Sequence, residues 1–327
     1  MVRAVTSDGN INAIAGNNAN ARTAGTVPAV PPNTSALNAI LWPGPLAMGA
    51  GGAIYVGSAA AVLRLTPSST TVFPAPSIAP AFGVTEASAF SARAGAPIAL
   101  GGWVEIYGNY LAADTRTWTG SDFNGLNAPH ALDGTSVTIG GQPAFVSYIS
   151  PGQVNVQVPS TIGTGPQPMV VSTAHGQSST LAVTVQAEVP GLLAPPVFNI
   201  NNIQYGVALF PDGVTFALPT GAIAGVPSRP ARQGDTLTFY GIGFGPTTPN
   251  IPAGQIAQGS SSLMLPLTVS IVTPATPASV TYSGLAPGIV GLYQFNVVIP
   301  KLPAGGPQPV IFDLGAAGQI RVNIATQ

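Results

Sequence analysis

The chain has 327 residues, of which 46% are hydrophobic and only 6% are Asp, Glu, Lys or Arg. An average soluble domain has roughly 25% charged residues, so a total of nine basic and ten acidic side chains argues against electrostatic binding to nucleic acid or anionic lipid. The hydrophobic content argues against intrinsic disorder, and the absence of cysteine excludes disulfides and thiolate metal sites.

The start of the chain is predicted to form β-hairpins. Val2–Val5 and Ile11–Ile14 flank Asp8-Gly9, a dipeptide that tolerates the positive φ of tight turns. A second pair of apolar segments, Ala53–Val56 and Val62–Leu65, follows a polar loop. The sequence begins without the basic stretch and apolar block of a signal peptide. The chain is therefore expected either to be cytoplasmic or to have its leader outside this stretch.

Residues 1–66, with their hairpin, loop and GAIYV strand, resemble the NHL-type β-propeller repeat. The resemblance is degenerate, because Gly57-Ser58-Ala59-Ala60 replaces the residues that usually follow the strand. A propeller closes with four to eight blades, and this segment supplies fewer than two. It is therefore either the tail of a longer propeller or a β-element that pairs elsewhere.

The rest of the chain is predicted to form a linker and two β-sandwiches. Residues 67–80 are a stiff linker rich in Pro, Ser and Thr. Beyond them, short alternating strands are separated by Pro-Gly or Gly-Pro turns about every eight to twelve residues, a pattern typical of all-β sandwiches. We assign residues 81–188 to a first sandwich and residues 189–327 to a second. No apolar run approaches the roughly 18 residues of a membrane span, so no membrane insertion is expected.

The two sandwiches contain copies of one sequence. The matching positions are Pro143-Ala144 with Pro277-Ala278, Tyr148 with Tyr282, Gln153-Val154-Asn155-Val156 with Gln294-Phe295-Asn296-Val297, and Gly165-Pro166-Gln167-Pro168 with Gly306-Pro307-Gln308-Pro309. A duplicated domain follows, in which Tyr148 superposes on Tyr282 and Asn155 on Asn296. We expect each asparagine to hydrogen-bond the backbone, because an unpaired buried amide costs about 1–3 kcal/mol.

These repeats also carry a family resemblance. The segments GTSVTIGGQPA and YISPGQVNVQVP in the first sandwich, and YSGLAPG and GLYQFNV in the second, are similar to the C-terminal module of large secreted proteins of soil Acidobacteria. The similarity covers roughly residues 81–327. It implies Ig-like folds and a location outside the cytoplasm, and in that family the module often follows NHL or other β-repeats. The family has no settled activity and no catalytic residues to transfer.

Few residues suggest metal or catalytic chemistry. The chain has two histidines, His130 and His175. Neither has a partner at metal-ligand spacing, and neither lies beside a nucleophile motif. Asp114, Asp122 and Asn124 lie in one loop that could gather oxygens around calcium, with Asp133 coming from further along the chain, but their spacing fits no EF-hand. We interpret this region as a solvated loop and predict no metal, cofactor or catalytic site.

Three aromatic residues are candidates for a glycan or interface site. Trp103, Glu105 and Tyr107 alternate with apolar residues along one strand and are predicted to face outward. Exposed tryptophan is typical of protein interfaces and of sugar-stacking platforms, and Trp118 lies close in sequence. We therefore select Trp103, Tyr107 and Trp118. Coverage by a neighbouring loop or domain is the competing interpretation.

The predicted architecture is an all-β chain in which an incomplete propeller-type element precedes two tandem Ig-like sandwiches. The predicted function is that of a non-enzymatic structural or adhesive protein, extracellular or at the cell surface, which forms homo-oligomers or filaments. Strand addition would use the first 66 residues, with Ile11, Ile14, Ile54 and Val56 as contact residues. The alternative function is a carbohydrate-binding accessory module of a secreted multidomain protein. An enzyme is not expected, because glycoside hydrolysis needs two carboxylates about 5 to 10 Å apart and the ten acidic residues are scattered singly.

Overall fold

The computed structural model describes residues 2–5, 11–15, 46–48, 54–58, 61–65, 74–79, 84–86, 96–271, 276–302 and 305–327, with backbone only before residue 74 and at 84–86. The chain forms two compact units, Met1–Phe73 and Pro74–Gln327. The fold is all-β, as the sequence predicts. Within the described residues the helices are the short 3₁₀ turns Gly120–Asp122, Pro196–Phe198 and Gly315–Ala317. None of these described helices is long and apolar enough to cross a membrane.

The first unit contains two small antiparallel sheets. Strands β1 (Val2–Val5) and β2 (Ile11–Ala15) pair with each other, which confirms the predicted first hairpin. Strands β3 (Leu46–Met48), β4 (Ile54–Ser58) and β5 (Ala61–Leu65) form a sheet in that order. The four residues chosen for self-association lie in β2 and β4. Their side chains, the Asp8-Gly9 turn and residues 66–73 of the linker region lie outside the description.

The second unit contains both predicted sandwiches. Strands of the first are β6 (Ser77–Ile78), β7 (Val84–Glu86), β8 (Ile98–Ala99), β9 (Trp103–Asn109), β10 (Arg116–Thr117), β11 (Ala131–Leu132), β12 (Thr135–Ile139), β13 (Gln142–Pro143), β14 (Phe145–Ser150), β15 (Gln153–Gln157), β16 (Gly165–Thr173), β17 (Gly176–Gln177) and β18 (Leu181–Gln186). Strands of the second are β19 (Gly191–Leu192), β20 (Asn199–Ile200), β21 (Ile203–Gln204), β22 (Ala208–Leu209), β23 (Thr236–Ile242), β24 (Thr247–Thr248), β25 (Ser262–Leu263), β26 (Thr268–Ile271), β27 (Thr276–Leu285), β28 (Tyr293–Val298), β29 (Gly306–Asp313) and β30 (Gln319–Thr326).

In the first sandwich, one sheet has the order β10-β14-β15-β9-β6, with β7 also beside β9, and the other has the order β11-β12-β16-β18-β8. Because side chains alternate along a strand, every second residue enters the space between the sheets. Core residues contributed by both sheets are Val104, Ile106, Val137, Ile139, Val154, Val156, Met169 and Val171. The linker prediction needs a correction at its end, because Ser77–Ile78 pairs with β9. Its flanking prolines are tolerated there because β6 is an edge strand.

The second sandwich follows the same plan with one long strand bridging its two layers. Residues 276–278 of β27 pair with β26, whereas residues 279–285 pair with β28. The sheet order is therefore continuous, β19-β23-β28-β27-β26-β29-β30. In the first sandwich the equivalent path is divided into β13, which pairs with β12, and β14, which pairs with β15. Both layers surround one core that includes Leu237, Phe239, Ile271, Phe295, Phe312 and Ile324.

The duplicated residues lie in equivalent strands, as predicted. Tyr148 is opposite Asn155 and Tyr282 is opposite Asn296, and a bulge precedes each tyrosine. The predicted backbone hydrogen bonds of the asparagine side chains are wrong. Asn155 Oδ1 accepts from Gln153 Nε2 at 2.7 Å, and Asn296 Oδ1 accepts from Gln294 Nε2 at 3.0 Å. Residues two apart share one strand face, so the adjacent glutamine reaches the amide first.

Candidate functional site

Trp103 lies at the contact between the two sandwiches, which we call the junction. The side chain is half-buried on the outer face of β9. Its Nε1 donates a hydrogen bond to the backbone oxygen of Val290 in the second sandwich, at 3.2 Å. A Cβ placed on Gly291 would lie 2.9 Å from the same nitrogen. The indole N–H is therefore hydrogen-bonded within the chain and is not available to a sugar hydroxyl.

The structure brings Trp118 to Trp103, as the predicted site requires. Their ring centroids are 5.5 Å apart with planes at 80°, and Phe123 lies 4.9 Å from Trp118 at 60°. Edge-to-face contacts of this kind are favourable beyond the area that they bury. Tyr107 has a different partner, because its hydroxyl donates to Glu105 at 2.5 Å. Burial and, next, the Glu105 carboxylate raise the pKa of Tyr107 to about 12.

Arg116 holds the loop that carries Trp118. Its guanidinium donates to Asp122 at 2.9 and 3.0 Å and to Asp133 at 2.5 and 3.0 Å. Asp122 also accepts from the backbone N–H of Thr119 at 2.7 Å. The hydrogen bonds from Arg116 lower the pKa of Asp122 to about 2 and lower the pKa of Asp133 as well. The loop is largely exposed to solvent, as predicted, and Arg116 ties two of its carboxylates together, a contact that we call the Arg116 clamp.

These ion pairs engage two of the three carboxylates that were considered for calcium. In the part of the chain that the structure describes, no group of three or more His, Cys, Asp or Glu side chains is placed to hold a metal. His130 packs its ring 4.3 Å from that of Phe145, with Nδ1 3.1 Å from the backbone oxygen of Ala144. The other histidine, His175, donates its backbone N–H to Thr173 Oγ1.

Gln157 joins the two sandwiches from a buried position. The side chain is 2% exposed, and its Oε1 accepts from the backbone N–H of Gly254 at 2.7 Å. Its Nε2 donates to the backbone oxygen of Gly101 at 2.8 Å. A buried amide with both ends paired avoids the cost of an unsatisfied group. Gln157 therefore fixes the second sandwich to the end of β15.

Backbone pairing extends the junction beyond Gln157. Ala128 donates to the oxygen of Gly254 at 2.7 Å, and Ile256 donates to the oxygen of Leu126 at 2.9 Å. The ring of Phe145 rests on Gly254 so closely that an added Cβ would lie 2.0 Å from it. Gly254 also has a φ of +81°, a conformation that glycine adopts at little cost. The junction thus combines a short ladder with tight packing.

A cavity of about 380 Å³ opens beside this contact. The first sandwich contributes Gln157 and Thr161, the connecting segment contributes Glu188, and the second sandwich contributes Asn250 and Tyr293. The Tyr293 hydroxyl donates to the backbone oxygen of Gly245, and burial raises its pKa. The cavity therefore has walls from both sandwiches and a polar side formed by neutral side chains and one carboxylate.

Sequence reasoning missed most residues of the junction. Gln157, Phe145 and Gly254 carry no motif, because an amide, a ring and a glycine on a β-protein surface are common. One signal was visible in the repeats. The first sandwich turns through Pro151-Gly152, whereas the second extends the same hairpin to Leu285 and Tyr293 and beyond. An insertion in one copy marks a place where that copy makes an additional contact.

Comparisons with known proteins add little. No family model and no curated protein matches this chain. Among solved structures, it is similar to domains 4–9 of the surface layer protein SbsC, with 11% identity and a TM-score of 0.22 over 84% of this chain. It is also similar to domains 5–6 of the S-layer protein SbsC, with 11% identity and a TM-score of 0.23 over 77% of this chain and 99% of that one. The chain spans 35% of the first structure. At such TM-scores the likeness carries no argument about function.

Proposed function

We propose that this chain is a non-enzymatic structural protein that acts outside the cell and associates with further copies of itself by β-strand addition. The pair of small sheets in the first unit carries the proposal. Among the described strands, β1 and β2 pair only with each other, and β3, β4 and β5 form a sheet of three. Isolated two-stranded sheets are marginally stable, and edge strands present unpaired N–H and C=O groups to other chains.

The junction supports this assignment by its asymmetry. Trp103 corresponds in register to Thr236, and Gln157 corresponds to Val298. The face of the second sandwich that matches the docking face of the first therefore lacks the groups that make the contact. The second sandwich does not offer the same docking face to a further molecule, which supports association through the first unit, with the sandwiches as a fixed spacer. Use of Trp103 in the junction also favours this function over a carbohydrate platform at that residue.

Composition and family resemblance support the setting. With 6% charged residues, copies of the chain repel one another weakly and can pack densely. The resemblance to modules of secreted Acidobacteria proteins supports the proposed extracellular location. Head-to-tail strand addition need not close into a ring, so filaments are the expected product.

The test compares the full chain with residues 74–327. Light scattering and electron microscopy over a range of concentrations should show filaments of the full chain and monomers of the truncated one. A point variant refines the test: Ala13→Pro, in β2, removes one backbone N–H from the strand and should reduce assembly. Ser69→Pro, in the predicted linker, is the matched control and should assemble normally. A full chain that stays monomeric at high concentration, or a truncated chain that still polymerises, would overturn the proposal.

A further inference from the structure

We infer that the junction cavity is a binding site for a small ligand that combines a protonated amine with hydroxyl groups, the chemistry of an amino sugar. This inference is independent of self-association. The volume of about 380 Å³ lies within the range of roughly 300–1,000 Å³ that is usual for ligand pockets. Ligand sites also occur preferentially where two domains meet, and this cavity has walls from both sandwiches.

Glu188 supplies the charge. It is the one ionisable acid or base other than Tyr293 that lines the cavity, and it is half-buried. Its side chain lies against Gly245, where an added Cβ would be 2.8 Å from Glu188 Cγ and 3.5 Å from Oε1. In the part of the chain that the structure describes, its carboxylate has neither a hydrogen bond nor an ion pair. A half-buried carboxylate without a counter-charge is complementary to a ligand ammonium.

The neutral polar residues supply the second half of the chemistry. Thr161, Asn250 and Gln255 line the cavity, and among the described residues their side chains make no hydrogen bond. Amides and hydroxyls both donate and accept, which suits ligand hydroxyl groups. Gln157 and Tyr293, by contrast, already use their polar groups within the protein. The wall therefore separates into structural residues whose polar groups are paired within the protein and residues whose polar groups are open to a ligand or to solvent.

The size and charge of the site together select the ligand class. A metal ion is a poor match, because a single carboxylate does not provide the six to eight oxygens that calcium takes. An acidic ligand would be repelled by Glu188. A neutral sugar could bond the amides but would leave the carboxylate without a counter-charge. An amine with adjacent hydroxyl groups satisfies both sides of the cavity.

Calorimetry of the full chain with three sugars tests the inference. Glucosamine carries the ammonium, whereas glucose and N-acetylglucosamine keep the hydroxyls without the charge. We expect glucosamine to bind at least about tenfold more tightly than either, the effect of one charge-assisted hydrogen bond. Absence of glucosamine binding at millimolar concentration, or equal binding of all three sugars, would overturn the inference.

Two variants locate the site. Glu188→Gln preserves shape and removes the charge, so glucosamine affinity should fall by about tenfold. Glu105→Gln, which changes a half-buried glutamate of the first sandwich that lies outside the cavity, should leave affinity unchanged. Thr161→Arg places a competing cation at the cavity wall and should also weaken glucosamine binding, with unfolding curves confirming that each variant folds. Unchanged binding by Glu188→Gln would contradict the assignment.

Discussion

The two sandwiches follow one strand plan and fill it with different cores. Register identifies three exchanged pairs: Ile106 with Phe239, Val154 with Phe295, and Val171 with Phe312. In the second sandwich the rings pack on one another, with centroids 5.4 Å apart for Phe239 and Phe312 and 5.3 Å apart for Phe295 and Phe312. The alternation of apolar residues and the positions of turns are common to both copies, whereas core volume is not. Cores tolerate such changes when several positions change together.

The outer faces differ in another way. In the first sandwich the ends of β9 and β15 carry Trp103 and Gln157, which hold the second sandwich. In the second the same positions carry Thr236 and Val298. The two copies thus share a fold, and only the first carries these contact residues at these positions. The contact therefore joins one first sandwich to one second sandwich, and the second sandwich has no matching face for a further contact of this kind.

The largest expected effect comes from truncating a core side chain in each sandwich at equivalent positions. Phe295→Ala should destabilise the protein by about 3–5 kcal/mol, because it removes a buried ring from the aromatic cluster. The matched change Val154→Ala removes two methyl groups at the equivalent position and should cost roughly 2 kcal/mol. Urea unfolding measures both. Equal losses would show that the aromatic packing adds nothing to the second core.

The next effect concerns the junction. Gly254→Ala should cost about 2–4 kcal/mol, because it adds backbone strain at φ +81° and a Cβ 2.0 Å from the Phe145 ring. Gly213→Ala is the control, since its φ is +71° and an added Cβ meets nothing within 4 Å. It should cost about 1 kcal/mol from strain alone. Thermal unfolding should show a separated transition for each sandwich only in the Gly254 variant. Similar losses in the two variants would contradict the tight Phe145 contact.

A smaller effect tests the asymmetry directly. Trp103→Phe keeps an aromatic ring but leaves the buried oxygen of Val290 without its donor, which should cost about 1–2 kcal/mol. Thr236→Val at the equivalent position of the second sandwich removes no described hydrogen bond and should change stability by less than about 0.5 kcal/mol. Denaturant midpoints of the two variants check this prediction. A larger loss for Thr236→Val would mean that the second sandwich uses this face as well.

Much of the fold was accessible from the sequence, because it depends on local patterns. The alternation around Trp103 and the repeat of Tyr148 and Asn155 correctly placed strands and their equivalences. The junction was not accessible, because Gln157 and Gly254 lie 97 residues apart and neither residue type signals a contact. The Asn155 hydrogen bond was misassigned for a related reason: several partners were within reach, and only side-chain geometry selects among them. Arg116 shows the same limit, since nothing local pairs it with Asp133.

The smallest expected effect is a difference between the two sandwiches in their response to acid. The Arg116 clamp belongs to the first sandwich, and its hydrogen bonds lower the pKa of Asp122 to about 2, compared with about 3.9 in an unfolded chain. A carboxyl whose pKa is lower in the folded state than in the unfolded chain stabilises the folded state at pH values above its unfolded-state pKa. This contribution to stability disappears as the pH falls through the folded-state pKa. Asp133 shifts in the same direction. Because the clamp is solvent-exposed, screening keeps its contribution to stability small, so the fluorescence of Trp118 is more informative than the stability of the whole protein.

Between about pH 4 and pH 2, we expect the tryptophan fluorescence of Trp118 to change before the second sandwich unfolds. The variant Asp122→Asn should lack this step, and Trp118→Phe should remove the signal. An Asp122 pKa near the ordinary value, measured by NMR titration, would show that Arg116 does not hold the loop in solution.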